Sequence, residues 1–137
     1  AYFSFTKKLL GNEKIRIFNY GKCERDFTYV DDIVEGILRI MEKGPKEEYN
    51  LYNIGNSHPE NLMDFVYTLG DRLIANGLLG TDFHIDEHME LVGMQPGDVP
   101  VTFADTSALE NDYGFKPDTS LKEGLDRFCR WYKEYYC

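Results

Sequence analysis

Arg25 is the residue of this 137-residue chain with the clearest capacity for binding chemistry. A guanidinium carries forked N–H donors that match the oxygens of a phosphate or a carboxylate. If a short extended segment holds Arg25 beside a packed helix, those donors can face an anionic small molecule. An ordinary ion pair with one of the chain's many acidic residues is the alternative, and residue chemistry alone leaves both open.

Two elements must position this arginine. Residues 27–30 include aromatic and β-branched side chains, which favour an extended segment. Asp31 or Asp32 can then accept hydrogen bonds from the free N–H groups of a helix's first turn. The apolar residues that follow recur at helical spacing, so the sequence predicts an amphipathic helix that buries one face and ends near Gly44. They are Ile33, Val34, Ile37, Leu38 and Met41.

Helix and strand patterns alternate around this unit. Residues 1–10 are compatible with a helix closed by Gly11, and residues 15–18 alternate like a short strand. Residues 49–54 alternate again and predict another strand, which stops at Gly55. Residues 1–55 therefore carry both helix and strand signals.

The second half of the chain is richer in helix signals. Apolar residues between Leu62 and Ile74 repeat at helical spacing, and Asp105 can cap a short helix that stops at Gly114. A Ser120–Glu123 capping box predicts the start of the last helix, whose apolar face is lined by Leu121, Leu125, Phe128 and Tyr132.

The charge distribution limits the classes of partner. The formal net charge is −9, which disfavours nucleic acid and anionic membrane surfaces, since both attract positive fields. Residues 1–25 nevertheless carry six basic and two acidic side chains, a balance of +4. An anionic small molecule would therefore be drawn to the first part of the chain.

Cysteine and histidine usage argues against a metal site or a disulfide framework. The three cysteines have neither metal-type spacing nor an even number, and this favours a reducing cytoplasmic compartment. His84 and His88 flank a brief predicted strand at Phe83 and Ile85, but no third ligand stands at a recognised spacing. No apolar run reaches the length of a membrane span, and no signal-peptide pattern occurs.

Four runs together resemble a known family. Residues 15–21, 25–36, 52–56 and 95–99 are similar, in order and spacing, to the C-terminal part of the NAD-dependent nucleotide-sugar epimerase/dehydratase family, the extended short-chain dehydrogenases/reductases. Among the branches of this family, the residues of these runs are most similar to those of the UDP-glucuronate 4-epimerases. Each run alone is weak evidence for the family, whereas four runs in the same order are strong evidence.

The resemblance implies a fold and a domain assignment. Residues 1–137 would be an α/β unit, the C-terminal substrate-binding lobe of a Rossmann-type enzyme, with small mixed sheet segments and three or four helices. The dinucleotide-binding half would lie outside these residues. In the resembling enzymes, a strand such as 49–54 extends the sheet of that half.

The resemblance also implies roles for five residues. Arg25 would bind the diphosphate of a UDP-sugar, and Ile17 and Phe18 would contact the base. Gln95 and Asp98 would contact the nucleotide or its ribose. The broader family commonly has a second arginine just before the Gly-Asp pair, but glutamine in that place agrees with the uronate branch.

The catalytic chemistry of the family is absent from these residues. None of the twelve glycines forms Gly-x-Gly, and none of the ten tyrosines stands four residues before a lysine. We therefore expect no catalytic residue and no NAD site in this chain, which alone would be inactive. The resemblance implies an intact NAD-dependent enzyme, commonly dimeric, that interconverts UDP-glucuronate and UDP-galacturonate at C4. A sister dehydratase or decarboxylase and a stand-alone, non-catalytic binding module are the alternatives.

Overall fold

The computed structural model describes all residues of the chain, Ala1–Cys137. Its five α-helices are α1 (Tyr2–Leu10), α2 (Val30–Lys43), α3 (Leu62–Ala75), α4 (Ser107–Tyr113) and α5 (Leu121–Tyr136). Its four strands are β1 (Ile15–Ile17), β2 (Glu24–Arg25), β3 (Glu60–Asn61) and β4 (Met89–Leu91). The predicted α/β lobe with small sheet segments is confirmed, with five α-helices where the resemblance implies three or four.

The strands form two separate pairs. β1 runs parallel to β4, and β2 runs antiparallel to β3 with Arg25 opposite Glu60. An isolated parallel bridge joins Glu24 to Val101, so the loop after β4 runs alongside β2. These pairings place the end of β2 between two chain segments that are distant in sequence.

One hydrophobic core supports this arrangement. α3 packs against α5, and the core is completed by residues of α1 and β1. Its fully buried side chains include Leu9, Ile15, Ile17, Phe65, Val66, Leu69 and Leu73. None of the helices combines the length and the apolar character that crossing a membrane requires.

The helix predictions for the second half hold, with one shift. The N-cap of α3 is Asn61, whose side chain accepts from the Met63 amide, and the N-cap of α5 is Ser120, whose hydroxyl accepts from the Glu123 amide. The N-cap position of α4 is Thr106, one residue after the predicted cap Asp105. Asp105 instead accepts from the amide and hydroxyl of Ser107, and these hydrogen bonds hold the pKa of that carboxyl below its ordinary value.

The predicted capping of α2 by Asp31 or Asp32 is wrong. The helix begins directly after Tyr29, which places both carboxylates within the first turn. Asp32 accepts from the amide and the hydroxyl of Thr119, and Asp31 pairs with Arg127. The acids still lie at the positive end of the helix dipole, but they connect α2 to the start of α5.

The prediction that α2 buries its apolar stripe is also wrong within this chain. Val34, Ile37 and Leu38 are 45–47% exposed, and Met41 is 72% exposed. A different face of the helix packs inward through Gly36, where an added Cβ would lie 3.2 Å from Ile54. Helical periodicity identifies an apolar face but not the surface that covers it.

Two predicted strands are not strands here. Residues 49–54 have no strand partner, and Tyr49 and Leu51 are each more than 80% exposed. Phe83 precedes a 3-10 turn at Ile85–His88, Ile85 is the first residue of that turn, and the strand begins only at Met89. Alternation predicts an extended chain, whereas a strand also needs a neighbour that donates and accepts its backbone hydrogen bonds.

The three cysteines are free and differ in accessibility. Cys23 and Cys129 are buried, Cys137 is exposed, and burial raises the pKa of the Cys129 thiol to about 12. Because the thiolate is the reactive form, we expect only Cys137 to react rapidly with Ellman's reagent in the native protein. All three should react in denaturant. Rapid reaction of every thiol without denaturant would contradict this packing.

Candidate functional site

The guanidinium of Arg25 lies at the end of β2 and is held by three oxygens. Its Nη2 donates to Asp98 Oδ1 at 2.7 Å, and its Nη1 donates to the carbonyls of Glu24 and Pro100 at 2.9 and 3.2 Å. The Arg25 and Asp98 side chains are 24% and 32% exposed. The arginine is therefore fixed in direction yet open on one side.

The loop that carries Asp98 is anchored along β2. The Glu24 amide donates to the Pro100 carbonyl at 2.8 Å, and the Thr102 amide donates back to the Glu24 carbonyl at 3.2 Å. The turn itself requires Gly97 at φ +83°, a conformation that glycine adopts without steric cost. Asp98 Oδ1 also accepts from the Val99 amide, so one carboxylate oxygen serves both the turn and Arg25.

A cavity of about 270 Å³ lies over this pair. Its charged lining residues are Arg16, Arg25 and Asp98. Its remaining walls are mainly apolar: Ala1, Phe5, Phe18, Cys23, Phe27 and Leu62. Apolar walls with a few convergent polar groups are the usual composition of a small-molecule site.

The structure brings together three of the five predicted site residues. Phe18, Arg25 and Asp98 line the same cavity. Ile17 is fully buried, and its carbonyl accepts from the Val92 amide. Gln95 is exposed outside the cavity lining, and its carbonyl accepts from the Asp98 amide. The backbone carbonyls of Ile17 and Gln95 thus bind segments next to the cavity, while neither residue lines it.

Arg16 is a cavity residue that the sequence analysis did not single out. Its guanidinium lies 5.6 Å from the centre of the Phe18 ring and 3.6 Å from the Glu90 carboxylate. The alternation of β1 carried the signal: Ile15 and Ile17 point into the core, so Arg16 must point away from it.

Phe27 separates this cavity from a second, larger one. Its ring stacks on Phe65 at 4.4 Å, and it lines both spaces. The second cavity measures about 680 Å³ and lies between the start of α1, the segment after β2 and the start of α5. Its walls are mostly apolar, with Arg127 and Asp31 as an ion pair among them.

His88 makes protein contacts through both ring nitrogens and its ring face. His88 Nδ1 lies 3.1 Å from the His84 carbonyl, His88 Nε2 lies 2.9 Å from Asn12 Oδ1, and the ring stacks on Phe83. Across the chain no cluster of three or more histidine, cysteine or acidic side chains is arranged to hold a metal ion.

Fold and geometry together define an α/β lobe in which a strand-end arginine and a loop aspartate face one apolar cavity. Residues 1–55 match the model of the NAD dependent epimerase/dehydratase family. Protein CapI of Staphylococcus aureus is 39% identical over 99% of this chain, and UDP-glucuronate 4-epimerase 4 of Arabidopsis thaliana is 36% identical over the same share.

A solved structure agrees. UDP-glucuronic acid 4-epimerase from Bacillus cereus, in complex with UDP-4-deoxy-4-fluoro-glucuronic acid and NAD, superposes with a TM-score of 0.76 at 25% identity over 99% of this chain. The chain belongs to the NAD-dependent epimerase/dehydratase family. It spans 42% of the CapI protein, 32% of the Arabidopsis enzyme and 40% of the Bacillus chain.

Proposed function

We propose that residues 1–137 form the C-terminal, substrate-binding lobe of an NAD-dependent UDP-sugar epimerase that interconverts UDP-glucuronate and UDP-galacturonate at C4. The observation that carries the proposal is the Arg25–Asp98 pair, which faces an apolar cavity from a strand end and a turn. The substrate assignment draws on the relatives named as UDP-glucuronate 4-epimerases. We use "intact enzyme" below for the longer protein of this proposal.

Arg25 retains donors for a diphosphate. A guanidinium has five N–H groups, and the three oxygens that hold Arg25 leave two of them, one on Nε, for ligand oxygens. Phe18 offers a ring face or edge for the base, with Ile17 behind it. Asp98 accepts hydrogen bonds from the ribose hydroxyls, and Gln95 reaches the nucleotide from the rim of the same turn.

The exposed apolar surface supports the assignment as one lobe of a larger protein. The apolar stripe lies on the helix α2, and segment 49–54 is a chain segment without a strand partner. A helix that covers a parallel sheet and a strand that extends it would have these two features. We propose that both meet the dinucleotide-binding half of the intact enzyme. If the intact enzyme is a dimer, as is common in the family, we propose that helices of that half form the dimer interface.

The residues present do not fit NAD. No strand-to-helix junction of this chain carries the glycine-rich turn that lets a backbone approach a dinucleotide pyrophosphate. We propose that the cofactor is held by the other half of the intact enzyme, and that this chain holds only the nucleotide end of the substrate. The net charge of −9 supports small-molecule partners, not nucleic acid or an anionic membrane surface. The three free cysteines support a cytoplasmic location.

Product analysis of the intact enzyme tests the function. Incubation with UDP-glucuronate and NAD should yield UDP-galacturonate, which proton NMR of the sugar distinguishes from its C4 epimer. A decarboxylated sugar or a 4-keto-6-deoxy sugar would instead assign a sister enzyme.

The isolated chain provides a separate test. It should give no turnover, and calorimetry should detect no NAD binding. Measurable NAD affinity of the isolated chain would overturn the assignment of the cofactor to the other half.

A further inference from the structure

The carboxylate of Asp26, directly after Arg25, accepts three backbone N–H groups from two loops. Oδ1 accepts from the Asn56 amide at 3.0 Å, and Oδ2 accepts from the amides of Ser57 and Ala104 at 3.1 and 2.9 Å. A neutral side chain of the same shape cannot accept all three, because an amide group carries only one acceptor oxygen.

The surrounding contacts fix the same two loops against each other. The Asp26 amide donates to Thr102 Oγ1 at 3.1 Å, and Ser57 Oγ donates to the Ala104 carbonyl at 2.8 Å. Gly55 passes so close that an added Cβ would lie 2.5 Å from the Ala104 methyl group. The loop before β3 and the loop after β4 are therefore joined at Asp26.

The second of these loops also carries the partners of Arg25. Asp98 and the Pro100 carbonyl precede Thr102 and Ala104 on one continuous segment. That segment is held to β2 upstream by the Glu24 amide and downstream by Asp26. A change at Asp26 thus reaches Asp98 and Pro100 along the backbone without touching the cavity, whose lining does not include Asp26.

We propose that Asp26 is a positioning residue: its carboxylate holds the loop after β4 in the register that aligns Asp98 and Pro100 with Arg25, and so aims the free donors of Arg25 at a nucleotide diphosphate. This inference rests on the proposed function. Asp26 touches neither the ligand nor the reacting atoms and acts through Arg25.

Binding of UDP and of uridine to the intact enzyme tests this role, because only UDP carries the diphosphate that Arg25 faces. We expect Asp26→Asn to weaken UDP binding in calorimetry by about tenfold, the loss of a hydrogen bond to a charged group, while uridine affinity stays unchanged. Removal of a negative charge beside an anion site would by itself strengthen UDP binding, so a weaker affinity reports misalignment of Arg25.

A double-mutant comparison separates positioning from general destabilisation. In an Arg25→Ala background, Asp26→Asn should cause no further loss of UDP affinity, since the residue through which it acts is gone. Thr102→Val, which removes one anchor of the same loop, should weaken UDP binding in the same direction. If thermal melting shows that Asp26→Asn does not fold, Thr102→Val takes its place in this test.

The outcomes distinguish this inference from the function on which it rests. Equal losses for UDP and uridine, a full additional loss in the Arg25→Ala background, or unchanged UDP affinity in folded Asp26→Asn would overturn the positioning role alone. No UDP binding by the unmodified intact enzyme would overturn the proposed function, and the positioning role with it.

Discussion

Arg25→Ala in the intact enzyme is expected to weaken UDP-sugar binding by about 100-fold, the scale of losing charge-assisted hydrogen bonds to a diphosphate. The substitution removes the donors and also leaves the Asp98 carboxylate unpaired at the cavity, where it repels the phosphates. The Michaelis constant for the UDP-sugar should rise, because the lost contact lies at the end of the substrate remote from the reacting carbon.

Two variants control this measurement. Arg39→Ala removes an arginine that also pairs with an acid, Glu35 at 2.6 Å, but on α2 and outside the cavity, so UDP-sugar affinity should not change. Asp98→Asn added to Arg25→Ala should recover part of the loss by removing the repulsion. Unchanged kinetics in Arg25→Ala would show that the diphosphate binds elsewhere.

The arginine illustrates how far residue chemistry alone could go. It left an ion pair and a ligand site as alternatives, and the structure shows that Arg25 makes the ion pair while facing a cavity. The partner lies 73 residues away, a pairing that no local pattern encodes. Only the resemblance joined Arg25 and Asp98 in one prediction, and only the structure shows the carbonyls of Glu24 and Pro100 that fix the guanidinium.

Long-range backbone contacts set the same limit for Asp26. Its three amide partners lie 30, 31 and 78 residues away, and backbone groups leave no signature in a sequence. Sequence signals gave correct predictions where all the residues in contact are near neighbours along the chain. The Ser120 cap of α5 and the end of α4 at Gly114 each involve only a few neighbouring residues, and both are as predicted.

The apolar stripe of α2 leads to the second large expected effect. Ile37→Asp should lower the free energy of unfolding of the isolated chain by only about 1 kcal/mol, because Ile37 is already 45% exposed there. In the intact enzyme the same substitution should lower the free energy of unfolding by about 3 kcal/mol or more, the cost of placing an unpaired charge in an apolar interface. Urea unfolding of both proteins measures the difference.

A substitution in the lobe's own core supplies the matched control. Leu69 is fully buried on α3, so Leu69→Ala should destabilise both proteins by about 2–5 kcal/mol, the range for creating a cavity in a packed core. A clearly larger loss in the intact enzyme for Ile37→Asp, beside similar losses in both for Leu69→Ala, would locate the domain interface on α2. Equally large losses for Ile37→Asp in the two proteins would mean that the lobe itself covers this face in solution, and equally small losses would mean that nothing covers it.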